Sequence, residues 1–374
     1  MADAAQRQRL LSAIDTVLQH GRLVLGPEVQ ELERRVAARC GRKYAVGVDS
    51  GSTALLLGLR SVAIGPGDEV ITTPLSWIAT ANAIAVAGAT PVFADIGDDL
   101  NLDPTRVREL VTPRTRAIVP VHWTGKVCRM HALMEIADRH GLAVVEDAAQ
   151  AFDASRHGRK AGSFGEVGCF SMNAMKVFAA CGDAGMVVTD REDVYQRLLA
   201  LRYNGTVNRE KCVDVSLNGR LDTVQAAILL QRLEHVEGII ERRREVAGWY
   251  GEHLEGVVET PREAPGERDA WYTYTIRADR RDELKAFLES RGIETRIHHP
   301  YLMPEQPVYR EAAQGKFPNA QRLVSRVLCL PSTEKITRAE VEYVAACIRE
   351  FYGAAPERSG WLPASPAYGR EAAE

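Results

Sequence analysis

Short apolar runs recur through the first half of the chain with helical segments between most of them, and few architectures accept that pattern. Residues 44–48 (YAVGV), 69–73, 91–96 (PVFADI), 116–121 (RAIVPV), 142–146 (LAVVE), 167–171 and 185–189 are such runs. They lack the polar alternation of a strand with one wet face. They therefore predict an α/β fold, a mostly parallel central sheet flanked by helices. The helices carry their own punctuation. Pro27 suits the first turn of a helix in which Val29, Leu32 and Val36 repeat at helical spacing. Ser76 can cap a helix running through Ala87, Asp103 and Pro104 open another, and Gly141 ends the helix over 129–140. In such a sheet the C-terminal strand ends are the default ligand crevice.

The character changes beyond residue 220. A long charge-rich helix is expected over 220–248. Strand 272–277 (YTYTIR), helix 280–291 closed by Gly292, strand 293–297 and a final helix starting at Thr337 then predict a smaller C-terminal α+β unit. Glu340 completes a capping box with Thr337. The expected organisation is a large domain over 1–248, a small domain over 249–352 and a loose tail over 353–374, rich in Ala, Pro, Gly, Ser and Glu.

Composition narrows the function. With 47 basic and 50 acidic residues the chain has no excess of positive charge for nucleic acid. It holds no 18-residue apolar run, and its first ten residues (MADAAQRQRL) lack the apolar core of a secretory signal. Seven cysteines, an odd number with no pair at CxxC spacing, point to reduced thiols and a cytoplasmic protein. His298 and His299 are adjacent with no cysteine cluster nearby, so no metal is expected.

Four groups could carry chemistry. Asp147, in Glu146-Asp147-Ala148-Ala149-Gln150, ends a strand and would project into the crevice; alone, it reads as readily as a helix N-cap. Lys176 follows FSMNAM and precedes a run of small residues; alone, it reads as a solvated lysine, although its apolar surroundings favour burial and a depressed pKa. Ser50-Gly51-Ser52-Thr53 sits at a strand-to-helix turn and is either an anion site or an ordinary capped helix. It has no Lys-Ser/Thr ending, so it is not a Walker loop. Trp77 could stack on a planar ring or pack in the core. The chain also lacks the glycine fingerprint of a nicotinamide dehydrogenase.

Together these groups resemble the DegT/DnrJ/EryC1/StrS sugar aminotransferases, a branch of the fold-type-I pyridoxal-phosphate enzymes. The resemblance runs from about Gly26 to Phe351. It rests on GPEVQELE, VDSGSTALLLGL, GDEVITTPLSWIATANAI, GATPVFADI, VHWTGKVCRM, VVEDAAQAFDA, GSFGEVGCFSMNAMKVFAACGDAGMVVT and LNGRLDTVQAAIL, in the family's order.

The resemblance implies pyridoxal 5'-phosphate as cofactor. By similarity Lys176 holds it as a Schiff base and shuttles a proton, Asp147 pairs with its pyridinium nitrogen, Gln150 bonds its ring hydroxyl and Trp77 stacks on its face. Gly51, Ser52 and Ser171 would hold the phosphate. Asn218 of the neighbouring subunit would complete it, which requires a homodimer with a shared active site. Ser52 replaces the more usual threonine. His298, His299 and Tyr301 fall near the family's substrate-side wall. The implied reaction moves an amino group from an amino acid, glutamate by expectation, to a nucleotide-linked keto sugar. The FSMNAMKVFAACG stretch looks closest to the branch acting on dTDP-4-keto-6-deoxyhexoses for secondary-metabolite sugars. Competing readings are an aminotransferase for a cyclitol ketone such as scyllo-inosose, a pyridoxal-phosphate sugar dehydratase, which intact Lys176 disfavours, and a non-catalytic regulatory relative.

Overall fold

The computed structural model describes residues 4–310 and 315–354. The tail expected over 353–374 lies outside the described residues apart from Gly353 and Ala354.

Seven strands build the central sheet: β1 (Tyr44–Val48), β2 (Glu69–Thr72), β3 (Thr90–Phe93), β4 (Thr115–Val119), β5 (Ala143–Asp147), β6 (Val167–Ser171) and β7 (Gly185–Thr189). Their spatial order is β1-β7-β6-β5-β4-β2-β3. Only β7 is reversed, pairing antiparallel with both β1 and β6. The segment 172–184 that links β6 to β7 contains no helix. A parallel return would need a crossover, usually helical, so the chain turns back antiparallel. The other six strands share one direction, and their C-terminal ends line one edge.

Both sheet faces are covered, which is why the strands read as continuous apolar runs. On one face pack α2 (Pro27–Cys40), α6 (Met130–His140) and α8 (Thr223–Leu233), through Leu32, Val36, Leu133, Ile136 and Leu229. On the other pack α3 (Gly51–Ser61), α4 (Ala79–Val86) and α7 (Glu192–Leu201), through Leu55, Leu59, Ile84 and Leu198. Pro27 opens α2, Asp103 caps α5 (Pro104–Glu109) and Gly141 ends α6 in the left-handed conformation, as the sequence predicts. A separate core joins α9 (Val236–Leu254), β8 (Tyr274–Arg277), α10 (Arg281–Ser290), β9 (Val327–Leu330) and α12 (Arg338–Phe351), the last opened by the Thr337–Glu340 capping box. Leu302, Met303 and Phe317, with Leu323 of α11 (Pro318–Val324), instead pack against Leu75, Phe93 and Trp123 of the large unit.

Several expectations are corrected. The helix over 220–248 is two helices, α8 and α9, which separate at Glu234–His235 because α8 docks on α1 (Ala4–His20) and α2 while α9 docks on α12. Helix α1 itself escapes the periodicity, since Val17 is its one buried residue. No strand forms over 293–297; a single bridge joins Arg296 to Cys329 of β9. Ser76 does not cap α4, which begins at Ala79 without a side-chain cap. Its hydroxyl lies 3.0 Å from that of Thr80 instead.

Candidate active site

The shared strand-end edge gathers most of the residues singled out from sequence. Strand β1 feeds the turn into α3. Ser50 is the N-cap, its Oγ accepting from the Thr53 N–H at 3.1 Å. Gly51 and Ser52 occupy the first turn of α3, where N–H groups lack intrahelical partners and the dipole favours an anion. Gly51 lies so close to Ser171, at the end of β6, that a Cβ there would meet the Ser171 Cβ at 2.5 Å. The turn and the Ser171 hydroxyl thus form one cradle.

Asp147 ends β5 and is buried. Its backbone is pinned on both sides: its N–H donates to Pro120 O at 2.9 Å and its carbonyl accepts from the His122 N–H at 3.1 Å. Oδ2 accepts from the Thr80 hydroxyl at 2.8 Å and Oδ1 from the Ala149 N–H at 3.2 Å. Burial raises its pKa above the ordinary value, and Thr80, Ala149 and Lys176 offset this only in part. Lys176 lies in the segment after β6, with Nζ 4.5 Å from the centroid of the Tyr272 ring. Burial lowers its pKa, against the pull of Asp147. An amine so shifted carries a free lone pair more readily. Gln150 is buried, and its Oε1 accepts from the Thr124 N–H at 2.8 Å. That bond assigns the amide orientation and leaves the NH₂ as a donor.

His298 and His299 complete the wall, their ring centroids 4.0 Å apart. His298 lies beside Trp123 and Tyr272, and His299 beside Trp77, with centroids 6.0 Å apart. Burial, then the Lys176 charge and Arg296, lowers the His298 pKa to about 4; burial, His298 and Lys176 lower that of His299 to about 3. Both rings are therefore neutral at physiological pH. The Nε2 atom of each is buried without a hydrogen-bond partner among the described residues. His299 has a positive φ of 59°, a conformation held at a cost of order 1–3 kcal/mol. Trp77 is 63% exposed and Tyr301 is 66% exposed. A cavity of about 600 Å³ continues from Met175, Tyr272 and His298 toward Arg243 and Arg296.

Asn218 stands apart from this edge. It is exposed, its Oδ1 accepts from Arg220 Nε at 2.7 Å, and it lines a different cavity of about 650 Å³ with Asp49, Thr53 and Arg60. Conversely, two groups in the site carry no sequence signal of their own. Tyr272 reads only as the start of a strand, and Thr80 only as a polar residue in a small-residue helix. Their roles arise from contacts across the fold, the Thr80–Asp147 bond spanning 67 residues.

An amine of lowered pKa, a buried carboxylate, an amide donor and an anion cradle thus gather at one strand-end edge. Their chemistry is of the kind that an aldehyde, a pyridine nitrogen, a ring hydroxyl and a phosphate call for.

Comparison with known proteins agrees. The family model for the DegT/DnrJ/EryC1/StrS aminotransferase family matches residues 4–349. The chain is 41% identical over 345 residues to the dTDP-3-amino-3,4,6-trideoxy-alpha-D-glucose transaminase of Streptomyces venezuelae, covering 91% of each. It is 38% identical over 353 residues to the pleiotropic regulatory protein of Geobacillus stearothermophilus, covering 92% of this chain and 95% of that one. The X-ray structure of S. venezuelae DesV in complex with ketimine intermediate matches with a TM-score of 0.91 at 40% identity, covering 94% of this chain and 96% of that chain. A fold-type-I architecture, a crevice fitted to pyridoxal phosphate and a match along nearly the whole chain agree, and the protein belongs to the DegT/DnrJ/EryC1/StrS family of pyridoxal-phosphate-dependent sugar aminotransferases.

Proposed function

We propose that Lys176 and Asp147 are the catalytic residues and that the amino acceptor is a nucleotide-linked keto-deoxysugar, a dTDP-4-keto-6-deoxyhexose on the way to a secondary-metabolite sugar, with glutamate as donor. The observation that carries the site assignment is the pairing of two buried groups at the same strand-end edge, an amine of lowered pKa and a carboxylate of raised pKa, each shifted by burial against the pull of the other's charge. Bound pyridoxal phosphate supplies an electrophilic carbon and a ring that accepts electron density. The chain does the rest. Lys176 Nζ would carry the proton between the donor Cα and the cofactor's C4′, in one direction for the donor and in the other for the sugar. Asp147 keeps a proton on the ring nitrogen. Gly51, Ser52 and Ser171 hold the phosphate, Gln150 donates to the ring hydroxyl, and Trp77 covers one ring face.

The sugar end of the proposal rests on His298 and His299. Neutral imidazoles with buried, unpaired Nε2 atoms suit hydroxyl and carbonyl groups better than a second carboxylate. Tyr301, two residues after His299 and exposed, would add to that wall once substrate is bound. Asn218 stands on an exposed apolar strip with Val213, Val215 and Leu217. A second copy of the chain would cover that strip, and Asn218 would then reach the partner's phosphate cradle. The enzyme would work in the cytoplasm as this homodimer. The division into large and small units falls within α9, whose Val236 and Ile240 pack in the main core while Val246, Tyr250 and Leu254 pack in the C-terminal one.

The test is to incubate the protein with pyridoxal phosphate and glutamate, then to screen dTDP- and UDP-linked 3-keto and 4-keto deoxysugars, with scyllo-inosose alongside, by mass spectrometry. Amination of a nucleotide-linked sugar with release of 2-oxoglutarate is expected. Amination of the cyclitol alone would overturn the substrate assignment.

A further inference from the structure

The mechanism above gives Asp147 a task but leaves open what keeps a wholly buried carboxylate charged. Burial is the largest influence on this group and works against the task, because an uncharged Asp147 could not hold a proton on the ring nitrogen. The side chain bonded to it is Thr80, in the second position of α4, only 1% exposed. Behind Thr80 stands Ser76, 4% exposed, with its hydroxyl 3.0 Å from that of Thr80.

A hydroxyl has one proton. Asp147, as a carboxylate, can only accept, so the Thr80 proton points at Oδ2. The Thr80 oxygen is then left as the acceptor in its contact with Ser76, and the Ser76 proton points at Thr80. The chain of donation runs one way, Ser76 to Thr80 to Asp147, and its polarity matches a negative charge at the end. A hydrogen-bond chain of this kind strengthens along its length. Placement also explains why Ser76 leaves the N-cap role that its position suggests: α4 starts at Ala79 and turns Thr80 toward β5.

We propose that Thr80, supported by Ser76, is a positioning residue that holds Asp147 ionised and fixes its Oδ2, so that the cofactor nitrogen meets a carboxylate and not a carboxylic acid. This rests on the reading of Asp147 as the partner of the ring nitrogen. Loss of a hydrogen bond to a charged group of this kind is worth about tenfold or more in an equilibrium. Thr80→Val removes the hydroxyl at nearly constant volume, and Thr80→Ser keeps it.

The experiment loads holoenzyme with ¹⁵N-labelled pyridoxal phosphate and follows the ring-nitrogen chemical shift as a function of pH in wild type, Thr80→Val, Thr80→Ser, Ser76→Ala and Asp147→Asn. The expected result is an acid-side midpoint, at which Asp147 takes up its own proton beside the protonated ring, raised by about one pH unit in Thr80→Val, a tenfold gain in the carboxylate's proton affinity. Thr80→Ser should restore it to near wild type, and Ser76→Ala should give a smaller shift in the same direction. A Thr80→Val midpoint equal to wild type, with Asp147→Asn strongly shifted, overturns the role of Thr80 and leaves Asp147 in place. An unshifted Asp147→Asn overturns the reading of Asp147 itself. If Thr80→Val does not fold, Ser76→Ala and Thr80→Ser decide: no shift in Ser76→Ala together with a large one in Thr80→Ser removes the relay.

Discussion

Glu146 and Asp147 are neighbours in sequence, both carboxylates and both buried, yet the fold treats them in opposite ways. Successive strand residues face opposite sides. Glu146 points into the body of the protein, where Oε1 accepts from the N–H groups of Phe164 and Gly165 and Oε2 from Gly162 N–H and His122 Nε2, all between 2.6 and 2.9 Å. The Cys128 N–H donates to His122 Nδ1, which assigns the ring proton to Nε2. Arg42 lies 3.9 Å away. Burial pushes the Glu146 pKa up, but these donors outweigh it, and the group ends below the ordinary value. Asp147 points into the crevice with two donors, and burial wins. The difference separates structure from function. A carboxylate saturated by its own protein holds the fold together, whereas one left short of partners is available to a ligand.

Lys176 belongs with Asp147 in this contrast, and the largest effect is expected there. Lys176→Ala should abolish transamination and the absorbance of bound cofactor near roughly 400–430 nm, while the apoprotein's thermal midpoint stays at or above that of wild type. A drop in that midpoint would place the lysine among the structural groups. Asp147→Asn should lose on the order of 10² or more in rate. The raised pKa means that ionising Asp147 in the folded chain works against stability once the pH exceeds its ordinary 3.8. Apo Asp147→Asn should therefore unfold in denaturant no earlier than wild type at pH 7.

Glu146→Gln should show the reverse. It places an NH₂ among backbone donors and should cost on the order of 3–5 kcal/mol, read from urea unfolding of the apoprotein. Since the Glu146 pKa is depressed, its contribution is present above 4.5 and disappears as the pH falls through the lower folded value. The gap between wild type and Glu146→Gln should thus narrow below pH 4.5; a constant gap would detach the stabilisation from the charge. The smallest effect concerns Asn218. Its substitution by Ala should weaken cofactor retention by a few-fold, on the scale of one neutral hydrogen bond, and only at protein concentrations where the dimer forms. Equilibrium dialysis across a dilution series measures this.

How much of this was legible beforehand differs from element to element. β1, β6 and β7 are found at their sequence-derived limits because runs such as YAVGV have no other home than a doubly covered sheet. The antiparallel sense of β7 is not written in its residues; it follows from the absence of a helix in 172–184. The break at Glu234–His235 leaves no proline or glycine to announce it, and arises from two helices docking on different partners. Asp147, Lys176 and Gln150 are visible as a motif, but the motif says nothing of Thr80 or Tyr272.

The sequence by itself determined the layered α/β class and the motifs that carry the family resemblance, because apolar periodicity and local motifs are properties of contiguous residues. Tertiary structure decided which of two adjacent acids is saturated with donors and which is left short of them. It also left His298 and His299 neutral and Thr80 aimed at Asp147. Burial and hydrogen-bond supply are set by groups that meet only once the chain has folded, and no spacing along the chain encodes them.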